Sequence, residues 1–178
     1  MDEASKMNQM VKNLLTLNQL EFGDEDIVFD RFNLTALVRG VLQSMEIMAD
    51  QAGAKILLHT EEDIYAWADE FKVEQVVKNY VSNACHHVSG DMVIEVKMVQ
   101  KDGKVRVSVF NTGTPIPEAD IAHIWDKFYK VDKARTREYG GSGIGLSIVK
   151  AIMKSFHQEY GVKNYDNGVE FWFELDVQ

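Results

Sequence analysis

A single cysteine, Cys85, and two prolines, Pro115 and Pro117, stand in 178 residues. One thiol closes no internal disulfide, so no disulfide framework is possible and a reducing compartment is expected. Two prolines leave no Pro-rich linker and no low-complexity tail. No apolar run approaches the roughly 20 residues that cross a bilayer, and no secretory leader pattern is visible. Positive charge is scarce too: 19 Lys and Arg against 28 Asp and Glu give a formal charge of −9. A chain of that sign repels a phosphate polymer, which excludes electrostatic wrapping of nucleic acid. A small anion such as a nucleotide is not excluded, because it needs only a local patch and free backbone N–H groups. With 46% hydrophobic and 26% charged residues, the chain is globular and long enough to build its own core.

Met7, Met10, Val11, Leu14, Leu17 and Leu20 recur at spacings of three and four, which predicts a helix over 1–20 with one apolar stripe. Two readings of it stay open: half of a helical hairpin or coiled coil, or a helix docked on its own domain. Residues 21–30 read as an acidic linker, with Gly23 ending the helix. Asn33 is suited to cap a helix over 34–52 that Gly53 stops. Short strands are expected at 55–60 and 64–68, and a helix at 70–88. A hairpin at 92–99 and 105–110 turns on Asp102-Gly103, and another helix runs over 144–159. Near the end, Val169, Phe171, Phe173, Leu175 and Val177 alternate with Glu170, Trp172, Glu174 and Asp176. This is a half-buried strand entered through an Asn167-Gly168 turn. Helices among five or more mostly antiparallel strands predict a two-layer α/β sandwich.

Four segments carry chemistry. On the 70–88 helix, Gln75, Asn79, Asn83 and His86 fall within about 80° of one another, beside an apolar arc of Val73, Val76, Val77, Tyr80, Val81 and Ala84. An Asn side-chain oxygen can ligate a hard cation such as Mg²⁺; the plain alternative is a solvated face. Gly140-Gly141-Ser142-Gly143-Ile144-Gly145-Leu146 crowds glycine where a loop becomes a helix, which either admits a phosphate to backbone N–H groups or forms a hinge. It is neither a Walker A loop nor a Rossmann turn. Asn111-Thr112-Gly113-Thr114-Pro115-Ile116 puts an amide at a strand end, where it could read a base edge. Trp125-Asp126-Lys127-Phe128-Tyr129-Lys130 opens a run with Lys133, Arg135 and Arg137, a patch for outer phosphates or a solvated loop.

In this order the four segments resemble the N, G1, F and G2 boxes of the ATP-binding catalytic domain of sensor histidine kinases, in the GHKL superfamily. Asn79-Tyr80-Val81-Ser82-Asn83-Ala84 is similar to the N box and Asn111-Thr112-Gly113 to G1. Residues 125–130 are similar to the F box, and Gly141-Ser142-Gly143-Ile144-Gly145-Leu146 to G2. The resemblance covers about residues 30–178, and residues 1–20 look like the second helix of the dimerisation and phosphoacceptor hairpin. It implies three parts: residues 1–22 as the C-terminal helix of a truncated hairpin, 23–32 as linker, and 33–178 as the ATP-binding domain. The implied fold is a GHKL (Bergerat) sandwich, a mixed, mostly antiparallel sheet of about five strands backed by three helices.

The resemblance implies the ligands as well. Asn83 would hold Mg²⁺, Asn79 would sit beside it, and Lys130 with a lid at about 131–140 would cover the ATP phosphates. Gly141, Ser142, Gly143, Ile144, Gly145 and Leu146 would form the phosphate side. Asn111, Gly113, Ile116, Phe128, His86 and His87 would complete the nucleotide site, with Asn111 on the adenine amino group. Four positions depart from the family pattern: Asn111 stands for an Asp, Pro115 for a glycine, and His86-His87 for Lys and an aromatic. Asn111 still offers an oxygen to the amino group. His86 is a weaker, pH-dependent phosphate partner, and His87 can stack on adenine.

Catalytic roles would fall to Asn79, Asn83 and Lys130, because phosphoryl transfer asks for positioning and charge neutralisation. Related ATPases carry a Glu near Asn79 to deprotonate water, and an amide cannot take that proton. Slow hydrolysis is therefore expected, and transfer to a histidine of a separate acceptor domain. None of His59, His86, His87, His123 and His157 has the acceptor context of a following acidic residue and a Pro a few positions on. The chain is thus expected to be a catalytic fragment that binds ATP or ADP without phosphorylating itself. Its parent would be a homodimeric, membrane-anchored two-component kinase with a response regulator as partner and this domain in the cytoplasm. The alternative is a nucleotide-binding scaffold that does not transfer.

Overall fold

The structure is a computed structural model that describes residues 3–23, 26–60, 62–131 and 143–178. Its elements run α1 (Glu3–Phe22), β1 (Asp30–Asn33), α2 (Leu34–Ser44), α3 (Glu46–Ala52), β2 (Lys55–His59), β3 (Tyr65–Ala68) and α4 (Glu70–His87). They continue with β4 (Val93–Lys101), β5 (Lys104–Thr112), α5 (Glu118–Ile121), α6 (Gly145–Ser155), β6 (Tyr160–Tyr165) and β7 (Gly168–Val177). The sheet has seven strands in the order β1-β3-β7-β5-β4-β2, with β6 also paired to β7. The β2–β4 pair is parallel and the other pairs are antiparallel, so the expected mixed sandwich is present with two strands more than the resemblance implies.

Helices α2, α4 and α6 form the second layer, with α3 as a short extension of α2. Val73, Val76, Val77, Tyr80, Val81 and Ala84 of α4 are buried, as their spacing requires. They meet Val105, Val107 and Val109 of β5 and Phe171 and Phe173 of β7 in one core. Tyr80 packs on both of those phenylalanines and satisfies its hydroxyl on the Trp172 carbonyl at 3.0 Å. Asp69 caps α4: one carboxylate oxygen accepts from Lys72 N–H, and the other accepts from Val28 N–H, which fastens the incoming chain.

Several elements differ from expectation. Residues 30–33, read as the end of the linker and a cap, form edge strand β1 against β3. Asn33 nevertheless caps α2, its side chain accepting from Ala36 N–H at 2.9 Å. The 34–52 helix is interrupted at Met45 and ends, as read, on left-handed Gly53. Asp102-Gly103 makes the β4–β5 turn with both φ values positive. The β6–β7 turn falls one residue earlier than read, on Asp166-Asn167, because Tyr165 already pairs with Gly168. Gly168 answers to space and not to the turn: a Cβ there would lie 2.1 Å from the Asn111 carbonyl oxygen.

Helix α1 divides its predicted stripe. Leu17 is fully buried, Met10, Leu14 and Leu20 are partly buried against the core, and α1 packs on α6. Burying Leu17 alone contributes about 1.5–3 kcal/mol to that docking. Met7 and Val11, part of the same expected stripe, are 67% and 53% exposed. The docked-helix reading therefore holds for the C-terminal half of α1. Among the described residues, no helix is long and apolar enough to cross a membrane.

Candidate functional site

The polar edge of α4 lies beside α6, which packs against it. Gln75, Asn79, Asn83 and His86 are all half-buried, so the stripe is not a fully solvated face. Asn79 meets the first residue of α6: a Cβ on Gly145 would be 3.2 Å from Asn79 Oδ1. One turn earlier, Gln75 Oε1 is buried with no hydrogen-bond partner.

The other segments converge on this helix. At its C-terminal end, Gly113 follows β5 with φ +153°, and a Cβ there would be 2.9 Å from the His87 carbonyl oxygen and 3.1 Å from Ser89 Oγ. Glycine is required at this position by both conformation and space. Asn111 is 3% exposed on β5, between β4 and β7, and its Nδ2 donates to the Thr112 carbonyl at 3.1 Å. That bond assigns the amide nitrogen to the backbone and leaves Oδ1 as the group available to an incoming donor.

Beyond G1, Asn164 of β6 holds Ile116 by two hydrogen bonds, and Asn167 O accepts from Gly113 N–H at 2.9 Å. Sequence reading passed over Asn164. Its signal was a polar residue at a position of β6 where Tyr160 and Val162, of the same parity, pack on the core.

Phe128 and Gly143 pin the two ends of the intervening segment together. Phe128 N–H donates to Gly143 O at 2.9 Å, and a Cβ on Gly143, at φ +74°, would be 3.0 Å from the Phe128 Cα. Phe128 itself is left-handed at φ 65°, an uncommon conformation for a bulky residue. Ser147 Oγ donates to Trp125 O at 3.1 Å, tying the same loop to α6. Lys127 pairs with Glu21 of α1 at 2.6 Å, so this lysine of the basic run faces α1.

Lys130 is half-buried two residues beyond Phe128. Ile144 is fully buried, so its side chain belongs to the core and not to a ligand-facing surface. Leu146 also packs partly on the core, and His87 is exposed. Gly141, Ser142, the lid expected at about 131–140 apart from its first residue, and with it Lys133, Arg135 and Arg137, lie outside the described residues.

Burial pushes the His86 imidazole below its ordinary range, opposed in part by a hydrogen bond to the Ser82 backbone. It is neutral at pH 7. Burial also pushes the Cys85 thiol up, which makes it an inert packing group. Among the described residues, no group of three or more His, Cys, Asp or Glu side chains could hold a metal. A hard cation here would rest on amide oxygen together with the waters and ligand phosphates that Mg²⁺ usually keeps.

The α/β sandwich sets an Asn-bearing helix against a glycine-led helix start, the arrangement of a nucleotide-binding domain of the GHKL type. Residues 68–178 match the histidine kinase-, DNA gyrase B-, and HSP90-like ATPase family. The chain belongs to that family, as the ATP-binding catalytic domain found in sensor histidine kinases.

The sensor histidine kinase WalK of Bacillus subtilis is 30% identical over 158 residues, covering 86% of this chain and 26% of WalK. The catalytic domain of histidine kinase ThkA superposes with a TM-score of 0.73 at 32% identity, covering 84% of this chain and 95% of that one. ThkA in complex with response regulator protein TrrA gives 0.79 at 30% identity, covering 99% and 48%. The chain thus spans about a quarter of WalK's length.

Proposed function

We propose that this domain delivers the γ-phosphoryl group of ATP to a histidine imidazole on a dimerisation domain of its parent protein. The imidazole nitrogen forms the new bond to phosphorus, the bond to the β–γ bridging oxygen breaks, and ADP leaves. The observation that carries the reading is the contact of Asn79 with Gly145, which joins the N and G2 segments into one site.

Asn83, on the same edge one turn on, would hold Mg²⁺ through its side-chain oxygen. The ion, when bound, neutralises phosphate charge. Asn79 would sit beside it. Gly143, Gly145 and the α6 N-terminus offer backbone N–H groups to phosphate oxygens, with Gly141 and Ser142 preceding them. Lys130 adds a positive charge, Asn111 Oδ1 accepts a hydrogen bond from the adenine amino group, and Ile116, Phe128, His86 and His87 line the remainder.

The polar edge of α4 has no carboxylate at Asn79 to deprotonate water, and the nearby Glu74 is paired with Lys78 at 2.8 Å. Water is therefore a poor acceptor and an imidazole, which needs no base, a better one. The TrrA complex of ThkA supports a response regulator as the further partner. Residues 1–22 as part of a dimerisation hairpin, the segment between them and β1 as linker, and a membrane-anchored parent with this domain in the cytoplasm complete the proposal.

The test is to supply a separate acceptor-helix domain and γ-labelled ATP. Label on the acceptor histidine, lost with Asn83→Ala, is expected. Nucleotide binding without any transfer would instead make the domain a scaffold.

A further inference from the structure

In Thr114-Pro115-Ile116-Pro117 the prolines on either side of Ile116 have no N–H. Ile116 therefore carries the one backbone donor among residues 115–117, and a regular strand ladder cannot hold this stretch. Both of its backbone groups are taken by a single side chain. Asn164 Oδ1 accepts from Ile116 N–H at 3.0 Å, and Asn164 Nδ2 donates to Ile116 O at 2.7 Å. A primary amide offers a donor and an acceptor side by side, as a peptide group does. Asn164 thus does for Ile116 what a neighbouring strand does for a ladder residue.

The anchor is itself rigid. Asn164 sits on β6 opposite Val169 of β7, one pair before the Tyr165–Gly168 pair that closes the hairpin. The same hairpin makes a second tie, Asn167 O to Gly113 N–H. Residues 113–116 are therefore bracketed, with the Gly113 backbone held by Asn167 and the Ile116 backbone by the Asn164 side chain.

We propose that Asn164 is a positioning residue for the base-binding side of the nucleotide site. It fixes Ile116, and Ile116 touches the purine. The inference rests on the nucleotide reading of residues 111–116. Asn111 is held by the β4 and β7 ladders and Gly113 by Asn167, so removing Asn164 releases Ile116 while leaving the base-reading amide in place.

The experiment compares the full chain with Asn164→Ala and Asn164→Asp, using ADP with Mg²⁺ as the probe at a temperature where each variant is folded. Two readouts are taken: the ADP dissociation constant, and hydrogen exchange of the Ile116 amide by NMR. Asn164→Ala should expose that amide to exchange and weaken ADP about tenfold, the worth of one net hydrogen bond passed on to the ligand. With an acceptor domain added, the KM for ATP should rise by a similar factor and kcat should stay. Asn164→Asp keeps the volume and the acceptor for Ile116 N–H, so it should lose several-fold; it is the variant to read should Asn164→Ala not fold. Fast exchange at Ile116 with unchanged ADP affinity in either variant overturns the proposal and leaves Asn164 a loop anchor only. Absence of ADP binding to the unsubstituted chain overturns the nucleotide reading, and this inference with it.

Discussion

Asn79 Oδ1 lies 3.2 Å from the place a Cβ would occupy on Gly145, so the middle of α4 and the first residue of α6 are in contact because one of them has no side chain. Gly145 is helical, so the glycine is there for space and not for backbone freedom. Adding a methyl group obliges the Asn79 side chain to give by a few tenths of an ångström.

Gly145→Ala should therefore weaken nucleotide binding more than it weakens the fold. Overpacking of this kind costs about 1–3 kcal/mol, and an alanine is otherwise a better helix former than glycine. Calorimetric ADP titration beside thermal unfolding separates the two. A variant that melts as the parent does and binds roughly tenfold more weakly is the expected outcome; unchanged binding would mean Asn79 can move freely.

Gly168→Ala should be far more damaging, and to the fold itself. Its Cβ would stand 2.1 Å from the Asn111 carbonyl oxygen and 2.7 Å from the Phe110 ring. Backbone cannot yield as a side chain can, so β5 and β7 must separate where Asn111 is held. A loss of more than about 3 kcal/mol is expected in urea unfolding, at the large end of single substitutions.

The Lys127–Glu21 pair should matter little. Its side chains are 43% and 39% exposed, and ion pairs so placed contribute at most about 1 kcal/mol. Lys127→Gln should leave ADP affinity unchanged and shift the denaturant midpoint slightly. A large loss of binding would place Lys127 on phosphate in solution.

His86 gives the domain a pH dependence whose sign follows from its burial. Its folded pKa lies below the unfolded value, so on acidification the unfolded chain takes the proton first. The contribution is absent well above the ordinary imidazole pKa of about 6.5, and stability falls as pH drops below it. His86→Gln should flatten that part of the profile between about pH 7 and 5. Equal slopes for the parent and His86→Gln would mean that His86 titrates alike in both states.

How much of this was legible in the sequence depended on how local each signal is. The α4 stripe, the Asn33 cap, the Asp102-Gly103 turn and the glycine-rich start of α6 are written within a few residues of one another, and short-range chemistry enforces them. β1 was missed because Asp-Arg-Phe-Asn has no alternation to read, and it exists through pairing with β3. The turn at Asp166-Asn167 was displaced by one residue because Gly168 suggested freedom of φ, when its reason is a carbonyl more than fifty positions earlier. Asn164 was missed for a similar reason: its partner Ile116 is 48 residues away. The stripe on α1 could be seen but not divided, since only the packed domain decides that Leu17 is covered and Val11 is not.

The most direct test of the account is calorimetric titration of the chain with ADP and a non-hydrolysable ATP analogue, with and without Mg²⁺, against the same titrations of Asn83→Ala. The account predicts binding that strengthens with Mg²⁺ in the parent and loses that dependence in the variant. Binding with the same Mg²⁺ dependence in both would take the metal away from Asn83, and no binding at millimolar nucleotide would contradict the site itself.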